Sequence, residues 1–129
     1  MQQKPVFPIV IPHARVVSGA GRGKKIGIAT LNIELSSAPA NMHHGIYACW
    51  VSFAGTKYMG ALHYGPRPVF KDTESLEVHV LDSIIESPPV TVDLEIVARI
   101  RGVENFATTK ALVERIRQDI AETRVILGS

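Results

Sequence analysis

The sequence has 129 residues, enough for one domain of ordinary size. Apolar residues make up 46% of it and charged residues 20%, which excludes a disordered chain. The net charge of +2 is mild and the basic residues are spread out, so we expect neither a nucleic-acid nor a membrane surface. The single cysteine, Cys49, excludes an intramolecular disulfide. With no leader and no long apolar run, the expected location is the cytoplasm.

Six strands are predicted from runs of strand-forming residues separated by turn residues. The proline-containing residues 1–13 are expected to be irregular, and residues 36–44 are expected to form a loop. Residues 54–56 predict a hairpin turn, and residues 76–81 alternate between apolar and polar side chains. The predicted strands cover residues 15–18, 30–35, 45–53, 57–64, 76–81 and 91–101.

Only the C-terminal segment has a helical period. Thr108 or Thr109 is the expected N-cap, and Gly128 follows the last turn. Six strands followed by one helix predict a single domain, residues 1–129, in which a closed antiparallel barrel has the helix packed outside. The apolar stripe of the helix consists of Leu112, Val113, Ile116, Ile120 and Leu127.

A glycine-rich loop precedes the second predicted strand. Glycines let the backbone approach a ligand closely, and neighbouring basic side chains would attract an anion. Thr30 and Asn32 follow, and their neutral oxygens suit a hard cation such as Mg²⁺. Together these features indicate a nucleoside-triphosphate site, although the loop is not a P-loop and a surface turn is the alternative. The loop residues are Gly19, Gly21, Arg22, Gly23, Lys24 and Lys25.

Four segments of the chain carry sequence motifs that follow one another in a fixed order. Residues 19–32 resemble the signature G-x-G-R-G-x-x-L-G-x-P-T-A-N, and residues 45–48 resemble G-V-Y-A, two motifs of the riboflavin kinase family. Residues 65–70 resemble G-x-R-P-T-F, and residues 76–82 resemble L-E-V-H-L-L-D. The resemblance extends over residues 14–127 and implies a six-stranded antiparallel Greek-key barrel with a C-terminal helix.

The resemblance also implies a function, the transfer of the γ-phosphate of ATP to riboflavin with Mg²⁺, giving FMN and ADP. Glu77 stands at the position of the family's catalytic glutamate, although its pattern alone is typical of a solvated strand residue. Thr30 and Asn32 are the expected magnesium ligands. The residues expected to bind ATP are Gly19, Gly21, Arg22, Gly23, Lys25, Thr30, Asn32 and His79.

Two residues are candidates for the flavin side of the site. Phe106 would stack or pack on the flavin ring, and Arg101 would contact the flavin or order its loop. The alternative for Phe106 is a hydrophobic anchor for the helix that follows. The expected partners are the small-molecule substrates alone, and the protein is expected to be a monomer.

A second function remains open, a non-catalytic flavin- or nucleotide-binding sensor or regulatory module of the same fold. Residues 83–89 lack the phenylalanine, tyrosine and glycine that relatives have there, which favours this alternative. Retention of Glu77 favours the enzyme. The sequence shows no adenylyltransferase domain, so we expect FMN rather than FAD as the product.

Overall fold

The computed structural model describes residues 6–17, 28–66 and 74–128. The glycine-rich loop predicted to bind ATP lies outside these ranges, as does Arg67 of the 65–70 motif. In the described part of the chain, a short 3₁₀ turn, Leu35–Ser37, is the one helical element before the C-terminal helix. The strands are β1 (Ile9–Val17), β2 (Ala29–Ile33), β3 (Gly45–Phe53), β4 (Thr56–Pro66), β5 (Glu74–Val80) and β6 (Thr91–Arg101), and the helix is α1 (Thr109–Gly128).

The six strands close into an antiparallel barrel in the spatial order β1-β2-β5-β4-β3-β6. Strands β3, β4 and β5 are consecutive in the chain and pair as antiparallel neighbours, and β6 returns to pair with β3. A fourth strand that returns beside the first of three consecutive strands defines a Greek key. The predicted barrel with its outside helix is therefore confirmed.

The barrel interior is the hydrophobic core, because one face of each strand carries apolar residues at every second position. Tyr47, Leu62 and Val78 are fully buried there. Cys49 also lies in the core, where burial raises the pKa of its thiol to about 12. It is therefore an inert packing residue.

Strand β1 begins at Ile9, six residues before the predicted start at residue 15. The prediction that residues 1–13 are irregular is therefore wrong for residues 9–13. Pro12 lies where the register between β1 and β6 shifts, between Ile11 and Ala14. His13 has a positive φ of 52°, and its backbone N–H donates to Asp93 Oδ1 at 2.9 Å. The strand accommodates Pro12 in a bulge. A bulged residue is not paired in the ladder, so the N–H that proline lacks is not needed there.

Helix α1 lies on the outside of the barrel against β3, β4 and β6. Thr108 is its N-cap, because Thr108 Oγ1 accepts a hydrogen bond of 3.1 Å from the backbone N–H of Ala111. Of the predicted apolar stripe only Leu127 is buried, and the other buried helix residues are the polar Asp119 and Thr123. Among the described residues, no helix is both long and apolar enough to cross a membrane.

Gly60 of β4 marks a close approach between strands. A Cβ at this position would lie 2.8 Å from Val78 Cγ1 and 3.1 Å from Cys49 Sγ. Replacement of Gly60 with alanine is therefore expected to lower the free energy of unfolding by about 1–3 kcal/mol, because Val78 has no room to move in a packed core. Thermal denaturation would measure this loss.

The matched control is Gly128→Ala, where the nearest atom to an added Cβ is Met59 Cε at 3.8 Å, an ordinary contact. This variant is expected to be as stable as the parent. If Gly60→Ala were equally stable, the interior at β4 and β5 would be more loosely packed than these distances indicate.

Candidate active site

Four of the residues predicted from the sequence lie together on the outer face of β2 and β5. On each strand the apolar neighbours, such as Leu31 and Val78, are buried in the core, so the alternate side chains point outward. Residues directly opposite each other on antiparallel strands have Cβ atoms about 4.5–5.5 Å apart. The outward residues are Thr30, Asn32, Glu77 and His79.

Glu77 lies between polar side chains on both neighbouring strands. Its register partner on β2 is Asn32, and its register partner on β4 is His63. All three residues are half-buried. A carboxylate in this position is sheltered from bulk water while it still faces the outside of the barrel, where a substrate hydroxyl can reach it. This placement does not match the freely solvated glutamate that the strand pattern alone suggested.

His79 pairs with Thr30 one step along the same face. The pKa of the His79 imidazole is lowered from 6.5 to about 4, chiefly because the ring is buried. The nearby His63 contributes to the decrease, and the carboxylate of Asp119 partly opposes it. His79 is therefore neutral at physiological pH. A neutral imidazole can donate or accept a hydrogen bond beside a phosphate without adding a charge.

The pKa of His79 makes the free energy of unfolding depend on pH. Between about pH 6.5 and pH 4 the unfolded chain binds a proton at His79 that the folded protein does not bind. We therefore expect stability to fall as the pH is lowered through this interval, by about 1.4 kcal/mol for each unit of pKa depression. Denaturant unfolding at several pH values would measure it.

His79→Gln should flatten this part of the pH dependence, because glutamine does not bind a proton in this range. The imidazole resonances of folded His79 are expected to titrate near pH 4. A midpoint near 6.5 would show that the imidazole is hydrated.

His63 is a residue near Glu77 that the sequence analysis did not identify. Its Nε2 lies 3.1 Å from the carbonyl oxygen of Pro66, and its Nδ1 lies 3.2 Å from Ser75 Oγ. A carbonyl only accepts, so Nε2 donates, and in the neutral ring Nδ1 then accepts from Ser75. His63 thus links the end of β4 to the start of β5. The pairing register of β4 with β5 places His63 opposite Glu77, and this register could have identified His63 as a site residue.

Arg101 is the last residue of β6, and Phe106 lies in the segment that connects β6 to α1. The Arg101 guanidinium donates to both carboxylate oxygens of Asp119 on α1, at 2.8 and 2.7 Å. It also donates to the carbonyl oxygen of Gly102 at 3.0 Å, and its Cζ is 5.9 Å from the centre of the Phe106 ring. These contacts favour the expectation that Arg101 orders its loop. The flavin contacts of both residues stay a prediction.

One row of outward side chains connects the two halves of the predicted site. From β2 it passes through Asn32, Glu77, His63 and Ile46 to Arg101 on β6, each the register partner of the next. The backbones of neighbouring strands are ~4.8 Å apart, and three such spacings separate β5 from β6. The Cα atoms of Glu77 and Arg101 are therefore at most about 14 Å apart. The row therefore runs along one face of the barrel from Glu77 to Arg101, with the buried Ile46 between them.

Two side chains on β2 offer oxygen atoms that could hold a metal ion. No group of three or more histidine, cysteine, aspartate or glutamate side chains forms a metal site within the described ranges. Thr30 and Asn32 instead offer a hydroxyl and an amide oxygen on one face of β2, beside Glu77 and His79. Mg²⁺ is commonly held by few protein oxygens together with substrate phosphates and water. The residues present therefore fit magnesium better than a transition metal.

The chain is similar to one protein family over nearly its whole length. The model of the riboflavin kinase (flavokinase) family matches residues 10–127, nearly the whole chain. The chain therefore belongs to the riboflavin kinase family, and the resemblance noted in its motifs is confirmed.

Individual relatives agree with this assignment. Riboflavin kinase of Homo sapiens is 32% identical over 119 residues, which cover 87% of this chain and 77% of the human protein. The bifunctional riboflavin kinase/FMN adenylyltransferase of Bacillus subtilis is 31% identical over 83% of this chain, which corresponds to 35% of that enzyme. The crystal structure of riboflavin kinase from Trypanosoma brucei covers 96% of this chain and 82% of its own, with a TM-score of 0.64 and 23% identity, and shows the same fold.

Proposed function

We propose that this protein transfers the γ-phosphate of ATP to the 5′-hydroxyl of riboflavin, giving FMN and ADP. The observation that carries the proposal is the row of outward side chains in which Glu77 lies beside Asn32 and is continuous with Arg101. Riboflavin has the corresponding shape, because its ribityl chain separates the flavin ring from the reacting hydroxyl. With the ring near Arg101 and Phe106, the hydroxyl would reach towards Glu77.

In this proposal Glu77 is the general base. Its carboxylate accepts the proton of the 5′-hydroxyl while the hydroxyl oxygen forms a bond to the γ-phosphorus and the bond to the β-phosphate oxygen breaks. The products are FMN and ADP, and the proton remains on Glu77 until water removes it. The half-buried position of Glu77 between Asn32 and His63 supports this role, because it holds the carboxylate on the face that the substrates would share.

Thr30 and Asn32 are proposed to hold Mg²⁺ through their side-chain oxygens. The ion would neutralise charge on the phosphates, which phosphoryl transfer requires. His79 would contact the nucleotide as a neutral imidazole, because burial keeps its pKa low. The glycine-rich residues 19–25 are proposed to surround the phosphates with backbone N–H groups and basic side chains.

The kinase is favoured over the non-catalytic module because the family match and the human riboflavin kinase both cover most of the chain. The proposal includes a monomer that acts in the cytoplasm on ATP and riboflavin alone. The test is incubation of the purified protein with riboflavin, ATP and Mg²⁺, with flavins and nucleotides separated by chromatography. FMN and ADP are expected in equal amounts and should disappear when EDTA removes the metal. Bound riboflavin that is never converted would instead support the sensor module.

A further inference from the structure

The buried polar face of α1 holds a carboxylate, Asp119, that no sequence motif indicated. The side chain of Asp119 is 5% exposed, and that of Arg101, which binds it with two hydrogen bonds, is 10% exposed. A planar guanidinium held by both oxygens of one carboxylate has a fixed orientation. The pair joins the middle of α1 to the last residue of β6.

Arg101 also contacts the segment that follows it, residues 102–108, at several points. It donates to the carbonyl oxygen of Gly102, its Nη1 lies 3.8 Å from Glu104 Oε1, and it faces the ring of Phe106. This segment connects β6 to the start of α1 and otherwise has no regular structure. Its conformation therefore depends on where the Arg101 side chain is held.

A second arginine completes the cluster. Arg115 Nε is buried, lies 3.6 Å from Glu104 Oε1 and 3.8 Å from Asp119 Oδ1, and forms no hydrogen bond in the described part of the chain. The cluster thus contains two guanidinium groups and two carboxylates. Of the two carboxylates, Asp119 is almost fully buried and Glu104 is half-exposed. Loss of the Asp119 charge would leave Arg101 without its strongest partner and free to turn towards Glu104.

We propose that Asp119 is a positioning residue for the flavin side of the site, acting through Arg101 to hold segment 102–108 in its binding conformation. The inference rests on the proposed function, because Arg101 and Phe106 are assigned there to riboflavin. Asp119 itself need not touch the ligand. Asp119 keeps segment 102–108 in its binding conformation before riboflavin arrives. Riboflavin therefore does not lose binding free energy by ordering the segment.

The inference predicts a selective effect of Asp119→Asn, which keeps the shape of the side chain but removes its charge. The KM and Kd for riboflavin are expected to rise at least about fivefold, while the KM for ATP changes by less than about twofold. Riboflavin affinity can be measured by quenching of flavin fluorescence, which needs no turnover. Glutamyl endopeptidase should also cleave more quickly after Glu104, with the cut identified by mass spectrometry.

Two further variants separate positioning from general destabilisation. Thr123→Val removes a buried hydroxyl that donates 2.8 Å to the backbone carbonyl of Asp119, one turn along the same face. It is expected to lower Tm without raising riboflavin Kd. Arg101→Lys keeps the charge but loses the paired hydrogen bonds to Asp119. In the double variant Arg101→Lys/Asp119→Asn, the riboflavin Kd should rise by no more than it does in the more strongly affected single variant.

An unchanged riboflavin Kd in Asp119→Asn overturns the inference, as does an equal rise in Thr123→Val at the same loss of Tm. Additive effects in the double variant also overturn it, because Asp119 would then act by another route. If the parent binds riboflavin without forming FMN, the proposed function fails, yet the affinity and cleavage comparisons still decide the role of Asp119. If the parent forms FMN and Asp119→Asn binds riboflavin normally, only this inference fails.

Discussion

Replacement of Glu77 with glutamine is expected to lower kcat by ~10²–10⁴-fold, the usual contribution of a general base. Glutamine keeps the shape of the side chain between Asn32 and His63 but does not accept the proton of the hydroxyl. The Kd for riboflavin should change little, because the carboxylate acts mainly when the phosphate is transferred. Steady-state FMN formation together with flavin fluorescence titration measures the two quantities separately.

The matched control for this variant is Glu95→Gln. Glu95 is a half-buried glutamate on β6, and its carboxylate lies 3.6 Å from Lys57 Nζ, away from the candidate site. It should retain the kcat of the parent. An unchanged kcat in Glu77→Gln would show that Glu77 is not the general base and that its role in β5 is structural.

Loss of the proposed magnesium ligands is expected to have the second largest effect. Thr30→Ala and Asn32→Ala should each weaken binding of Mg-ATP by at least about tenfold, with a smaller change in riboflavin affinity. The reason is that each removes one of the two side-chain oxygens that β2 presents beside Glu77 and His79. Nucleotide titrations with and without Mg²⁺ would separate the metal-dependent part.

Thr91→Ala is a suitable control, because Thr91 is an exposed threonine at the start of β6. It should bind Mg-ATP as the parent does. If Thr30→Ala and Asn32→Ala also did so, the polar face of β2 would have no role in nucleotide binding. The glycine-rich residues before it would then be interpreted as a surface turn.

The strands and the outside helix were predictable because their signals are local. Alternation in β5 and the hairpin turn after β3 depend only on neighbours in the sequence, and both occur in the structure. The turn itself is Ala54 and Gly55, because Thr56, which was predicted to belong to it, is the first residue of β4.

Strand β1 was less predictable, because a proline such as Pro12 usually interrupts a strand. Here the proline lies where the pairing of β1 with β6 shifts its register, so the strand continues past it. The hydrogen bond from His13 to Asp93 joins residues 80 positions apart, so no local pattern indicates the bulge.

The candidate site was predictable where a motif and a strand coincide. Thr30, Asn32, Glu77 and His79 were each chosen from motifs, and the pairing of β2 with β5 brings them onto one face. Asp119 was not predicted, because on a helix with an apolar stripe a single aspartate appears exposed. Its burial depends on Arg101 at the end of β6, 18 positions away in the sequence.

The loop after β5 illustrates the same point. Asp82 has a positive φ of 56°, and its carboxylate accepts two hydrogen bonds from Arg124 of α1, at 2.7 and 2.8 Å. These bonds lower the pKa of Asp82 and attach the beginning of the altered residues 83–89 to the helix. The sequence showed how this loop departs from relatives, but not that the helix holds it.

The most direct test of the central claim is transfer of label from ATP carrying ³²P in the γ position. The protein is expected to move the label onto riboflavin, so that labelled FMN and unlabelled ADP appear at equal rates, and Glu77→Gln should slow both together. Release of the label as inorganic phosphate without labelled FMN would contradict the account. So would tight riboflavin binding with no transfer in either protein, since the chain would then bind the flavin without phosphorylating it.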